Sequence, residues 1–462
     1  MKYYDVIVLG GGPAGITAAT TARRHYPKKR ILLIRSVEKS LIPCGIPYMF
    51  GLLEDPAQNI NPDSILHSRG IEIKIDKAVK IERKSRIVYL ASGEELRYER
   101  LILATGSLPA IPKIPGIELE NIFCIKKEWP YLLKINSALE NAEKVVIVGG
   151  GFVGVELAEQ IRLHRKKEVT IVEVLPYCLY SSFDEEFCFE AERELEAMGV
   201  KILAGKKVGE FTGKKGAVKE VHLSDGTVLP ADLVIVSTGA LPEVSLAKEA
   251  GLEIGPKGGV LVDRSMATSD PYIFACGDCC EKFSFFNGKS VPVRLASVAA
   301  TEARVAGANL YVKRRFNPGT IGVFSTKIGN RAFAAAGLIE RLAIEEGFNV
   351  LVGETASPDR HPSVLPGAKE MHVKLVFDQY TGVLIGGQVS GGESVAELVN
   401  LLSACLLHKM TAMDMSAFQM GTHPMLTPSP AGYPLAVAAE LATVEKLKQT
   451  DKRNFLASYC EK

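Results

Sequence analysis

No uninterrupted apolar run in this 462-residue chain reaches the ~18 residues a membrane-spanning helix needs, because Gly, Pro or charge breaks each candidate. Charge of one sign is lacking too. Lys and Arg number 55 against 53 Asp and Glu, and the net charge of +2 gives no electrostatic reason to expect nucleic acid or a membrane surface as partner. The start, Met1 to Gly10, runs straight into a strand-like apolar segment too short and wrongly flanked for a signal peptide. Nine cysteines, an odd number scattered over a long chain, make a poor disulfide framework and fit reduced thiols. These absences lead to the expectation of a cytoplasmic protein with neither nucleic acid nor membrane as partner, and no metal site is expected.

What is present is ordinary for a folded chain: 47% hydrophobic and 23% charged residues. The length suggests about two to four domains. Val6 to Leu9 reads as a buried strand and runs into Gly10-Gly11-Gly12-Pro13-Ala14-Gly15, then a helical stretch from Ile16 to Arg24. Glycines 10, 12 and 15 satisfy G-x-G-x-x-G between strand and helix, where a tight turn and close backbone approach let a pyrophosphate sit on a helix N-terminus. The next strand, Arg30 to Ile34, should end in an acid for a ribose, yet Arg35 stands there, with Glu38 three positions on.

The unit occurs twice. Val145 to Val148 leads into Gly149-Gly150-Gly151-Phe152-Val153-Gly154, a helical stretch to Arg162 and a strand, Glu168 to Val172, that ends in Glu173. Ser92-Gly93 precedes strands closing in Ala104-Thr105-Gly106, as Asp225-Gly226 precedes strands closing in Ser237-Thr238-Gly239. Two dinucleotide-binding units of the same internal order are therefore expected. Between the glycine loops lie Cys44, in Pro43-Cys44-Gly45-Ile46-Pro47-Tyr48, and the half-exposed strand pattern of Ile71 to Ile75. Pro109, Pro112 and Pro115-Gly116 punctuate a crossing between domains. Tyr272 to Ala275 is a strand ending near Gly277-Asp278, helical periodicity runs from Ala296 to Leu310, and composition changes near Asn317-Pro318-Gly319. Beyond Ile321 come strand patterns at His372 to Phe377 and Val383 to Val389, then helical ones at Ser394 to His408 and Ala436 to Lys448, which make a separate α+β module.

Together these motifs resemble the FAD-dependent pyridine nucleotide–disulfide oxidoreductase superfamily over nearly the whole chain. The single cysteine of the Cys44 motif is similar to the branch of coenzyme A disulfide, persulfide and polysulfide reductases, NADH oxidases and NADH peroxidases. The resemblance implies an α/β fold of two Rossmann-like domains and a C-terminal α+β dimerisation domain: residues 1–112 with 245–320 for FAD, 113–244 for NAD(P), and 321–462 for the interface. It implies that Gly10, Gly12, Pro13, Ala14, Gly15, Arg35, Ser36, Pro43, Thr105, Gly106, Gly277 and Asp278 contact FAD. Gly149, Gly151, Gly154, Glu156, Glu173 and Gly239 would meet NADH or NADPH, with Glu156 near the reactive ring and Glu173 leaning the choice to NADH. Coenzyme A is a further candidate ligand.

Four departures sharpen the reading. Arg35 replaces the acid of the FAD ribose site. Pro13 stands where peroxidase and oxidase members carry a histidine, which argues against peroxide. Met49 occupies the place of the second thiol of two-cysteine relatives. The segments Ser363 to Gly367 and Met425 to Pro430 lack the tyrosines of coenzyme A disulfide reductases, so the second sulfur stays open.

The expected activity is NAD(P)H-dependent reduction of sulfur–sulfur bonds of small substrates through Cys44, held as a thiolate by a following helix N-terminus. His423 is the candidate proton donor, reaching the site from the partner of a homodimer. The alternatives are an NADH oxidase using oxygen and an electron-transfer or sensing flavoprotein for a protein partner. Cys276 and Cys279 form C-x-x-C but flank the flavin contact, while Cys124, Cys178, Cys188, Cys405 and Cys460 read as structural. The apolar run Val395 to Leu407 suits either a subunit interface or a core helix, and Lys313-Arg314-Arg315 a solvated face.

Overall fold

The structure, a computed structural model, describes the backbone of residues 1–460 and the side chains of residues 1–448; Cys460 lies outside the described side chains. Two units are distinguished. The first comprises Met1–Gly149, Gln160–Thr170 and Lys207–Thr320, and the second Gly150–Glu159, Ile171–Lys206 and Ile321–Lys462.

In the first unit, Val6, Ile7 and Val8 are fully buried, each side chain worth about 1.5–3 kcal/mol of burial. Their strand, Lys2–Leu9, pairs in parallel with Ile31–Arg35 on one side and Glu95–Leu103 on the other. The register aligns Leu9 with Ile34 and with Leu103, and Ala275 of the strand Ile273–Ala275 with Leu103. One sheet edge therefore carries the loops that begin at Gly10, Arg35, Ala104 and Cys276, the edge at which α/β sheets bind nucleotides. Helix Pro13–His25 packs on helix Ala296–Asn309 through small buried residues, with Gly307 against Ala18, Thr21 and Ala22. A Cβ on Gly307 would lie 2.5 Å from the Ala18 carbonyl oxygen, so only glycine permits this closeness.

A second set of parallel strands lies in the same unit. Leu233–Val236 is flanked by Lys144–Val148 and Ile122–Cys124, aligning Val236 with Val148 and Cys124. The sequence repeat pairs with itself: Ser107–Pro109, after Ala104-Thr105-Gly106, runs antiparallel to Ala240–Pro242, after Ser237-Thr238-Gly239.

In the second unit a five-stranded antiparallel sheet has the order Val323–Ile328, Arg331–Gly337, Leu384–Gly391, Glu370–Asp378, Val350–Pro358. Helix Val395–Leu407 packs on it with Val395, Val399, Leu402 and Leu406 buried, which makes that apolar run a core stripe; Ala396, Ala404 and Leu407 turn outward, Leu407 at 43% exposure. Among the described residues no helix is long and apolar enough to cross a membrane.

Candidate active site

The two glycine loops share one backbone solution. Gly10 and Gly149 have φ of 124° and 106°, a region that L side chains avoid. A Cβ on Gly10 would overlap the Ala104 carbonyl oxygen, and one on Gly149 would come within 2.8 Å of that of Ser237. A Cβ on Gly15 would overlap the Gly10 carbonyl oxygen. Gly12 and Gly151 behave oppositely: a Cβ on either meets nothing within 4 Å, so each bounds open space at the mouth of its loop. Gly12 is the N-cap of Pro13–His25, with Pro13 where a missing N–H costs nothing, and Gly151 precedes helix Phe152–Arg165. These are cradles that a diphosphate fits.

The strand ends differ. In the second unit the Glu173 carboxylate accepts from the Gly150 N–H at 2.5 Å and the Leu175 N–H at 2.7 Å, with its stem against Gly150. In the first, the stem of Arg35 lies against Gly11, where a Cβ would come within 2.6 Å of the Arg35 Cδ. The Arg35 guanidinium, 2% exposed, donates from Nη1 and Nη2 to both oxygens of Asp63 at 2.6 and 2.7 Å, from Nε to the Val37 carbonyl, and from Nη2 to the Glu38 carbonyl. Arg35 holds the Asp63 carboxyl below its ordinary pKa. Ser36, next along, is exposed.

Beside these, Thr105 donates to the Glu243 carbonyl at 2.6 Å, and Gly106 has φ of 76°. Gly239 has φ of 108° and open space around it. Gly277, at φ 83°, is gripped on both sides by a buried ion pair. Glu302 accepts its N–H at 2.9 Å, Lys282 donates to its carbonyl at 2.5 Å, and the two charges meet at 2.8 Å, with side chains 2% and 3% exposed. A Cβ on Gly277 would come within 2.7 Å of that of Ala14. The following Asp278 accepts from Ser107 Oγ at 2.8 Å and faces Lys127 at 3.5 Å. Cys276, Cys279 and Cys280 are buried beneath this corner; a hydrogen bond from Cys280 and the charge of Lys282 bring Cys279 down to about 7 against its desolvation. That burial leaves the C-x-x-C inaccessible to a substrate.

Cys44 is exposed in the turn Pro43–Gly45, and a second turn, Pro47–Phe50, follows. The expected helix after Cys44 is replaced by these two 3₁₀ turns, because Pro47 has no N–H to give the Pro43 carbonyl, which accepts from the Ile46 N–H instead. Pro43 is half-buried and Met49 buried. Asn59, buried, donates to the Ile42 carbonyl at 3.1 Å and lies 3.2 Å from the Met49 sulfur, and it sits where a Cβ on Gly45 would go, so it pins the turn from beneath.

In the second unit, Glu156 accepts from Thr326 Oγ1 at 2.9 Å, and burial, helped by Glu159, pushes its carboxyl up to about 7. Gly154 lies in the first turn of Phe152–Arg165. His423 is on an exposed segment of that unit, its backbone N–H bonded to Thr427 Oγ1 at 3.0 Å. Asp63, Asn59, Lys282 and Glu302 escape a sequence reading because no short motif links them to the loops they hold. The nearest signal is Arg35 itself, a charge on a strand end that had to find a partner.

Residues 4–303 match the family model described as pyridine nucleotide-disulphide oxidoreductase, and residues 323–431 match the dimerisation domain of that family. The chain is 31% identical over 418 residues to a Pyrococcus horikoshii protein named NAD(P)H coenzyme A polysulfide/persulfide reductase, covering 88% of this chain and 92% of that one. It is 30% identical over 445 residues to a Methanocaldococcus jannaschii protein named NADH oxidase, covering 94% and 97%. Among solved structures, an NAD-dependent persulfide reductase from A. fulgidus superposes with a TM-score of 0.89 at 31% identity, over 96% of this chain and 83% of that one.

Proposed function

The chain belongs to the pyridine nucleotide-disulphide oxidoreductase family, and on that premise we propose that it is an NAD(P)H-dependent flavoprotein that reduces the sulfur–sulfur bonds of small substrates, coenzyme A disulfide or persulfide and polysulfide, through Cys44. The observation that carries this reading is an exposed Cys44 on a rigid turn whose would-be second thiol is the buried Met49.

Gly10, Gly12, Pro13, Ala14, Gly15, Arg35, Ser36, Pro43, Thr105, Gly106, Gly277 and Asp278 would hold FAD. Gly149, Gly151, Gly154, Glu156, Glu173 and Gly239 would hold the nicotinamide nucleotide. The open faces of Gly12 and Gly151 support both assignments. Bound FAD would supply two-electron transfer between the nicotinamide and sulfur. The Cys44 thiolate attacks one sulfur of the substrate, a Cys44–S–S bond forms as the substrate's own bond breaks, and the departing thiolate takes a proton. Two electrons from NAD(P)H then cleave that bond, restoring the Cys44 thiolate and releasing the second thiol. His423 gives the proton, from the partner subunit of a homodimer whose active site is shared between subunits, and the enzyme works in the cytoplasm. Glu173, with acceptor oxygens at the strand end, favours NADH.

The relative named NADH oxidase supports a second reading, oxygen as acceptor. Anaerobic turnover with NADH or NADPH against coenzyme A disulfide, coenzyme A persulfide, polysulfide and cystine, set beside oxygen consumption, separates the two. The sulfur reading expects a higher kcat/KM for one sulfur substrate than for oxygen, and loss of that activity in Cys44→Ser; the reverse ranking, or full turnover in Cys44→Ser, refutes it.

A further inference from the structure

We infer that Asp63, carried on Arg35, is the carboxylate that receives the adenosine-ribose hydroxyls of FAD in place of the acid absent from the end of the strand Ile31–Arg35. The inference rests on the FAD assignment above. The second glycine loop serves as an internal standard. There the strand-end residue, Glu173, lays its stem against the middle glycine and brings acceptor oxygens to the loop. In the first loop the strand-end residue also lays its stem against the middle glycine, but Arg35 ends in donors only. Four of its five N–H donors go to protein acceptors, the Val37 and Glu38 carbonyls and both Asp63 oxygens, and with no acceptor atom of its own it offers a ribose hydroxyl nothing to donate to. What it does bring to the strand end is a carboxylate. Asp63 is held bidentately by a guanidinium that is 2% exposed, while its own side chain is 41% exposed, which leaves oxygen lone pairs open to a hydroxyl donor. A buried arginine spent on holding an accessible carboxylate beside a glycine loop is costly as mere stabilisation, because desolvating the charge offsets much of what the pair returns. Two other acids lie near this strand end: Glu38 has an exposed side chain and offers only its backbone carbonyl to Arg35, and Asp76, whose N–H donates to the Arg35 carbonyl at 2.9 Å, turns its carboxylate away to the Lys77 N–H and to Ser92.

The test compares FAD with FMN, which lacks the adenosine half, on the full-length protein. FAD release from the holoenzyme is followed by recovery of flavin fluorescence, and the deflavinated full chain is titrated with each flavin. Asp63→Asn is expected to weaken FAD about tenfold, the worth of a hydrogen bond to a charged acceptor, and to leave FMN unchanged; Glu38→Gln is expected to change neither. Because Asp63→Asn strands a buried guanidinium, the double variant Arg35→Met/Asp63→Asn removes that charge, and the same FAD-specific loss is expected of it. Wild-type FAD affinity in both Asp63 variants, an equal loss of FAD and FMN, or an FAD-specific loss in Glu38→Gln would each overturn the inference while leaving the cofactor assignment standing. A wild-type chain that binds no FAD would overturn both.

Discussion

The two glycine loops reach the same backbone by the same means and then part company at the next strand. Each begins with a glycine in the left-handed region, pressed against a carbonyl oxygen, and each opens onto empty space at its third position. Yet Glu173 accepts directly from Gly150 of its loop, whereas Arg35 lies against Gly11 of its loop and holds its carboxylate in Asp63. The glycines answer a demand of backbone geometry that leaves no substitute, while the carboxylate is a demand of charge that different residues can meet from different places.

The first loop also has a backing in the buried Lys282–Glu302 pair that grips Gly277. Glu302→Ala leaves Lys282 charged and alone in the core and is expected to cost about 3–5 kcal/mol, measured by denaturant unfolding. Replacing both, Lys282→Met with Glu302→Leu, is expected to return most of that stability. If the double variant is as unstable as the single one, the pair is held by more than its charges.

The second loop opens the helix that carries Glu156, whose carboxyl is raised to about 7 by burial. A carboxyl whose folded pKa lies above its unfolded value binds more protons when folded, so this group's contribution is fully present below about 4.5 and is lost as pH rises through about 7. The loss is on the order of 3 kcal/mol. Melting temperature against pH should fall across that window in the wild type and fall less in Glu156→Gln, making the variant the more stable above pH 7. Parallel curves would contradict the raised pKa.

Glu173→Ala orphans the buried Gly150 N–H and is expected to cost about 1–3 kcal/mol of stability and to raise KM for NADH more than for NADPH, while FAD content is unchanged. An equal rise for both nucleotides would separate Glu173 from ribose recognition. The smallest structural change is the sharpest comparison. Gly12→Ala and Gly151→Ala place a methyl in open space, so each should unfold within about 0.5 kcal/mol of wild type. Gly12→Ala should weaken FAD alone and Gly151→Ala should raise KM for the nicotinamide nucleotide alone, about tenfold each. Loss of both functions in either variant would break the assignment of one cradle to one nucleotide.

How legible the molecule was in its sequence follows the same division. Both loops, Ala104-Thr105-Gly106 and Gly277-Asp278 could be read because positive φ and close approach force glycine at fixed spacing. The parallel strands could be read from their unbroken apolar runs. The turn after Cys44 was legible as a motif but not as geometry, since two prolines four residues apart convert an expected helix into two 3₁₀ turns. Arg35–Asp63 and Lys282–Glu302, 28 and 20 residues apart, obey no periodicity, and a charged residue reads as solvated until its partner is seen. The helix Val395–Leu407 could be read as apolar, but only its packing decides that the stripe faces its own sheet.

The most direct test of the central claim is to quench the enzyme anaerobically with coenzyme A disulfide in the absence of NAD(P)H and map the modified peptide by mass spectrometry. One coenzyme A thiol is expected in disulfide linkage on Cys44, released when NADH is added. An adduct on Cys276 or Cys279 with Cys44 unmodified, or a Cys44 that neither coenzyme A disulfide nor polysulfide modifies, would contradict reduction through Cys44.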